Sequence, residues 1–257
     1  MKLGLCSAVV AWTVVALVGA EQSEEVGFLL AEKRDNSLNE MLIGFLENFK
    51  QSMVCPNPAL GLPVLAPFEL DHFEVDVDQT GLAFKGEVNN VVVDGLNEFE
   101  IRNIDIKVLK LQLDFEFYFA AIRTKGKYKA KGKVISLFPF NRSGKFKFDV
   151  KGLAIKGSVK VGLKNDKVEL RELTINPTIK SVKSDFKNVF LVPLNTFIFN
   201  RIVEGVLPGM INDNQESITQ SIEENLKPAI NEALGELSLQ DLIDMVSGEG
   251  ATEPVTC

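Results

Sequence analysis

A stripe of apolar residues at every fourth position runs through the C-terminal part of the chain: Leu194, Ile198, Ile202, Val206, Met210, Ile218, Ile222, Leu226, Ile230 and Leu234, with only Asn214 interrupting. On an α-helix each step of four drifts by ~40° about the axis, so ten such steps carry the stripe completely round the helix. A helix resting on a flat surface keeps its apolar residues on one side. This one must either be wrapped by other structure as it advances or break near Pro208 or Asn212-Asp213-Asn214. Both readings place a long helical element, from about Leu194 to Leu234, in a curved sheet.

The middle of the chain supplies the sheet. From Asp71 to about Arg171 the apolar period falls to two, beginning where Phe73, Val75 and Val77 alternate with Glu74, Asp76 and Asp78. Strand patterns follow over 88–93, 98–110, 124–136, 144–150, 154–163 and 167–175, at a spacing that favours antiparallel meanders over βαβ units. Ile104, Ile106 and Val108 are apolar at even positions, whereas Leu109, Leu111, Leu113, Phe115, Phe117 and Phe119 are apolar at odd ones. A strand whose inward face changes parity needs one extra residue, which predicts a β-bulge near Val108-Leu109. Upstream, Leu38, Met41, Leu42, Phe45, Phe49 and Met53 form one stripe of an amphipathic helix over 37–54, with a Ser37–Glu40 capping box at its start and Pro56 and Pro58 at its end. The Gly61–Pro67 segment must be extended, because residues before proline avoid the helical region. A short helix over 238–246 precedes a Gly/Ser/Glu-rich tail, 247–257, that reads as disordered.

Residues 1–20 read as a secretory signal: Lys2 charges the start, Leu3–Val18 is almost wholly apolar, and Val18-Gly19-Ala20 is a small-residue cleavage site. The run is short for the ~20 residues of a membrane span. Cleavage after Ala20 removes Lys2, Trp12 and Cys6, moves the net charge from −7 to −8, and leaves residues 21–246 as a single domain in a secreted protein. Cys55 and Cys257 are then the remaining cysteines, and whether they pair is left open. Phe accounts for 18 of the aromatic residues against 2 Tyr and 1 Trp, so the interior is dry. The acidic balance speaks against nucleic acid as a partner. A lone histidine, His72, excludes any site needing two imidazoles, and it reads as structural or surface. With no nucleophile elbow, phosphate loop or cysteine cluster, neither catalysis nor a metal or other cofactor is expected.

Two patterns bear on binding. Arg123, Lys125, Lys127, Lys129, Lys131 and Lys133 occupy every second position, so a strand presents all six on one face. That face could meet anionic lipid headgroups or a receptor, or it is a solvated face that discourages edge pairing. The intervening Thr124, Gly126, Tyr128, Ala130 and Gly132 are mostly small; set against the Phe-rich run they leave volume for an apolar ligand, unless the central helix fills it. The candidate lining is Phe115, Phe117, Phe119, Tyr128, Phe146, Phe148, Phe197, Ile198 and Ile202. Asn141-Arg142-Ser143 is an N-glycosylation sequon in an expected turn, whereas Asn176-Pro177-Thr178 is blocked by its proline.

Taken in order, several segments resemble the secreted takeout/juvenile-hormone-binding family of arthropods. They are Lys33–Leu42, Gly61–Pro67, Val91–Asn97, the Gly126-x-Tyr128-x-Ala130-x-Gly132 strand, and Phe138-Pro139 with Gly144-x-Phe146. The family's two N-terminal cysteines correspond to about Glu32 and Met41 here. The resemblance implies an α+β tubular lipid-binding fold, a highly curved antiparallel sheet wrapped around a long C-terminal helix with an apolar tunnel. It also implies a carrier of small hydrophobic ligands such as juvenile hormone, a fatty acid or another lipid. The rival expectation is an interaction protein of the same fold that docks on anionic membrane or microbial lipid through the basic strand face.

Overall fold

A computed structural model of the chain describes residues 36–56, 63–79, 82–134, 138–165, 167–234, 238 and 240–241. The expected signal stretch, the tail and most of the 238–246 helix lie outside these residues. At the start of that last helix the Ser238 N–H donates to the Asp241 carboxylate (2.7 Å) and the Asp241 N–H donates to Ser238 Oγ (3.2 Å), a reciprocal cap.

Helix α1 spans residues 36–52 and turns Leu38, Met41, Leu42, Phe45 and Phe49 inward, as their spacing predicts. The 63–67 segment docks back on its end, where the Leu65 and Ala66 N–H groups donate to the Met53 carbonyl at 2.9 and 3.0 Å. Seven strands follow: β1 (Phe68–Gln79), β2 (Leu82–Asp94), β3 (Phe99–Lys107), β4 (Gln112–Val134), β5 (Phe138–Lys164), β6 (Lys167–Thr178) and β7 (Ser181–Phe186). All their pairings are antiparallel. The stretches read separately as 144–150 and 154–163 are one strand, as are the Phe-rich run and 124–134. At 23 and 27 residues, β4 and β5 are long enough to take two partners each along their outer edges. The order is therefore β1-β2-β4-β5-β7 at one end of the sheet and β3-β4-β5-β6 at the other.

The expected bulge near Val108-Leu109 is instead a chain reversal. Val108–Lys110 forms a 3-10 turn, Leu111 is left-handed (φ 49°), and β4 returns along β3 with Ile106 opposite Leu113 and Ile104 opposite Phe115. With Lys107 facing Gln112, even residues from Asn103 to Lys107 oppose odd residues of the next strand, so the parity change at the reversal needs no extra residue; the register of β3 shifts earlier, between Ile101 and Asn103. A bulge does occur in β2 between Asn89 and Val92, where Asn90 is left-handed (φ 51°). It moves the inward set from Phe84 and Val88 to Val91 and Val93.

The C-terminal helix breaks at Asn214, the one gap in its stripe, into α2 (Pro193–Asp213) and α3 (Gln215–Leu234), while Pro208 and Pro228 stay inside helices. α2 packs along β7 and α3 along β6. Both are fastened to the edge of the sheet by side chains. Asn200 accepts from the Phe186 N–H (2.8 Å) and donates to its carbonyl (3.2 Å). Asn212 does the same for Ile179 at 2.9 and 3.1 Å, and Asn231 for Leu170 at 2.7 and 3.3 Å. Thr219 bridges the N–H and carbonyl of Ile175. An exposed strand edge is a template for pairing with another chain, and here the helices occupy that template with amides that mimic a backbone.

Pairing of β4 with β5 runs from Gln112 to Val134 without a register shift, so odd and even residues of β4 leave on opposite sides. The odd set is Leu113, Phe115, Phe117 and Phe119, then Arg123 and the lysines; the even set begins with Asp114 and Glu116 and ends with Ile122, Tyr128 and Ala130. The sheet thus turns its apolar side to one face at one end and to the other face at the other. Phe117 and Phe119 pack with Phe99, Phe49 and Met53 in a core under α1. Tyr128, Phe146, Phe140, Val91 and Val189 pack with Phe199 and Val203 of α2 in a second core.

Candidate functional site

The second core is incompletely filled. A cavity of about 200 Å³ lies between the inner face of the sheet and α2, walled by Val75 of β1, Phe84 and Val88 of β2, Tyr128 and Ala130 of β4, and Phe140, Phe146 and Phe148 of β5. Phe186, Val189, Phe199, Val203, Leu207 and Met210 close it. Its aromatic wall is braced by Phe186, which stacks on Phe146 (5.6 Å between centroids) and meets Tyr128 and Phe199 edge-on, each at 5.5 Å. Such offset and edge contacts are the favourable ring geometries, so this wall is preorganised.

Two polar side chains border that cavity, Tyr128 and Glu87, and the polarity of Tyr128 is spent. Its hydroxyl donates to the Lys187 carbonyl at 2.6 Å, and burial pushes its pKa up to about 12. The approach depends on Gly144, where a Cβ would stand 2.1 Å from the Lys187 oxygen and 3.0 Å from the Tyr128 ring. What faces a ligand is therefore mostly hydrocarbon and ring, a surface that rewards apolar shape, and the bordering Glu87 carboxylate is paired with Lys129 at 3.9 Å. His72 is elsewhere, on β1, with Nδ1 2.9 Å from Asn89 Oδ1. Among the described residues no three His, Cys, Asp or Glu side chains converge as metal ligands.

Of the residues that sequence reasoning set together, Tyr128, Phe146 and Phe148 meet in this cavity, and Ile202 packs on the core around it. Phe115, Phe117 and Phe119 do not join them, because the alternation of β4 carries them to the other face; Phe115 lies over Gly157 there. Phe197 and Ile198 are 57% and 46% exposed on the outside of α2. The wall of α2 is Phe199, Val203, Leu207 and Met210, an i, i+4, i+8, i+11 series of which the fourfold stripe holds only Met210. Nor do the small residues of β4 all make space. Phe146 occupies the room beside Gly126, and the Ala83 backbone that beside Gly132. Only Ala130, with Gly86 on β2, borders the cavity.

All six basic residues of β4 are exposed, as their spacing predicts. Asn141 is exposed as well, but it lies within β5, opposite Lys131, and not in a turn. Cys55 is buried and disulfide-bonded, and its partner lies outside the described residues. No helix among the described residues is long and apolar enough to cross a membrane.

The family model described as haemolymph juvenile hormone binding protein (JHBP) matches residues 8–244. Comparison with curated protein sequences gives no match. Among solved structures, Takeout 1 of Epiphyas postvittana is similar at a TM-score of 0.51 and 18% identity, over 76% of this chain and 92% of that one. That likeness is one of fold: α+β, with a large curved antiparallel sheet. A lipopolysaccharide binding protein is matched at a TM-score of 0.33 and 19% identity, over 75% of this chain and 39% of that one.

Proposed function

Because the chain belongs to the haemolymph juvenile hormone binding protein family, we propose that it is a secreted, non-enzymatic carrier of a small hydrophobic ligand, held between α2 and the sheet. The observation that carries this reading is the cavity of about 200 Å³, walled almost wholly by apolar side chains, whose Tyr128 hydroxyl is already bonded to backbone and whose Glu87 is paired with Lys129. Binding would work by excluding water. The space is smaller than the ~300–1,000 Å³ of sites for drug-sized ligands, so it suits a short lipid, or one segment of a terpenoid or fatty acid. At ~0.8 kcal/mol per buried CH₂, about six carbons gain ~5 kcal/mol before the costs of association. The disulfide at Cys55 supports an oxidising, secretory compartment, and the exposed Asn141 is the residue we assign as glycan acceptor there.

Native mass spectrometry and lipid extraction of protein secreted by eukaryotic cells test this reading. A small lipid adduct is the expected result. Protein that is ligand-free and takes up no fluorescent fatty acid would refute it. The same spectra report the glycan: N-glycosidase should lower the mass, and an unchanged mass would remove Asn141 from the account.

A further inference from the structure

Cys55 is 4% exposed and disulfide-bonded. The chain holds two other cysteines, Cys6 and Cys257. Cys6 lies within the apolar run of the 1–20 stretch, and a bond to it would not survive removal of a signal peptide. Cys257 is then the partner that stays with the mature chain.

The placement of the two segments that must meet agrees with this pairing. Cys55 sits just past α1, where its N–H donates to the Ser52 carbonyl at 3.0 Å and the neighbouring Met53 packs with Phe99, Phe117 and Phe119. Phe119 is opposite Leu153 on β5. The chain beyond α3 stands at the far end of that strand: Asn231 is fastened to Leu170, and Asp241 is within electrostatic reach of Lys167, which is opposite Lys164. Leu153 and Lys164 are about eleven positions apart, or ~36 Å at ~3.3 Å per residue. With residues 242–246 helical and 247–257 extended, the chain after Asp241 reaches ~44 Å. Cys257 can therefore return along the length of the sheet to Cys55.

We propose that Cys55 and Cys257 are bonded to each other, and that the bond draws residues 247–257 into a strap along the α1 side of the sheet, from the β5–β6 turn to the end of α1. Each thiol gives up one proton and one electron as the S–S bond forms, and the disulfide of a secretory-pathway oxidoreductase is reduced to its dithiol. The loop so closed holds about 200 residues, the whole sheet among them, and closing a loop of that size restricts the unfolded chain strongly. The ligand cavity lies on the other face of the sheet from Phe117 and Phe119, so the strap stabilises the fold without entering the ligand's space. Because Cys6 is set aside by signal cleavage, the pairing rests on the secretory part of the proposed function.

Digestion of protein secreted by eukaryotic cells, without reductant, followed by mass spectrometry of the peptides and N-terminal sequencing of the same sample, tests the pairing. A peptide pair joining Cys55 to Cys257, and lost on reduction, is the expected result. Cys257→Ser should expose one alkylatable thiol per denatured chain, against none in wild type, and lower Tm by about 5–10 °C. Cys55→Ser disturbs a buried site as well, so the decisive comparison is the double variant, which should melt no lower than Cys55→Ser alone. Uptake of a fluorescent fatty acid should be the same in Cys257→Ser as in wild type. Free thiols at both positions in a chain that begins at Glu21, or Cys55 bonded to Cys55 of a second copy, would overturn the strap and leave the secreted carrier standing. Cys55 bonded to Cys6 in a chain that retains Met1 would overturn the strap and the secretory reading together.

Discussion

Tyr128 joins the wall of the cavity to the strand end that precedes α2, through a hydroxyl donated to the Lys187 carbonyl at 2.6 Å. Tyr128→Phe keeps the ring and leaves that carbonyl without its donor, so urea unfolding should show a loss of ~1–2 kcal/mol. The sign of the pH effect follows from the raised pKa. The folded phenol titrates at about 12 against 10.0 for the free group, so its contribution is intact below pH 10 and is lost as pH rises toward 12. Melts between these limits should fall more steeply for wild type than for Tyr128→Phe. At the other end of the sheet, Asp114 is held down to about 2 by hydrogen bonds from Lys107, Gln112 and Ser158. Its folded pKa lies below the ordinary 3.8, so its contribution is present above that value and lost as pH falls toward 2. The group is partly solvated, which limits the effect to about 1 kcal/mol. Acid titration of Asp114→Asn should lack that component, and an unchanged acid limb would discount the cluster.

The helices are held to the sheet edge by amides, and this predicts where their stability resides. Asn212→Leu or Asn231→Leu should each cost ~1–3 kcal/mol, because a backbone N–H and a carbonyl lose their partner together. Asn214→Ala is the control. Its side chain donates to the Met210 carbonyl at 2.7 Å within the helix turn, not to the sheet, and its effect in the same urea titration should be smaller. The break at Asn214 was legible in the sequence, since it is where the stripe lapses. The fastening was not, because an asparagine in a helix reads equally well as solvated. A signal exists in hindsight: Asn200, Glu204, Asn212, Gln215, Thr219 and Asn231 are polar residues along the helix sides that meet the sheet and its adjoining turns. The turn at Val108–Lys110 was misread as a bulge because it carries no Gly, Pro or Asn, and parity alone cannot distinguish an inserted residue from a reversal.

At the scale of the molecule, α+β architecture with a curved antiparallel sheet was legible because periods of two and four occupy separate stretches of the chain. The cavity was legible on its strand side, where Tyr128, Phe146 and Phe148 alternate with charged or polar residues. Its helix side was not, because Phe197, Ile198, Phe199, Ile202 and Val203 are all apolar and period cannot choose among them. The central claim is that the space beside Ala130 is a binding site and not a packing flaw. Titration of a fluorescent fatty acid into wild type and Ala130→Phe, with a thermal melt of each, tests it most directly. A void accepts the added ring without displacing neighbours, so the account predicts probe affinity lowered about tenfold or more with little change in Tm. If wild type never binds the probe and Ala130→Phe loses ~1–3 kcal/mol of stability, the region is a closed core being overpacked, and the carrier is contradicted.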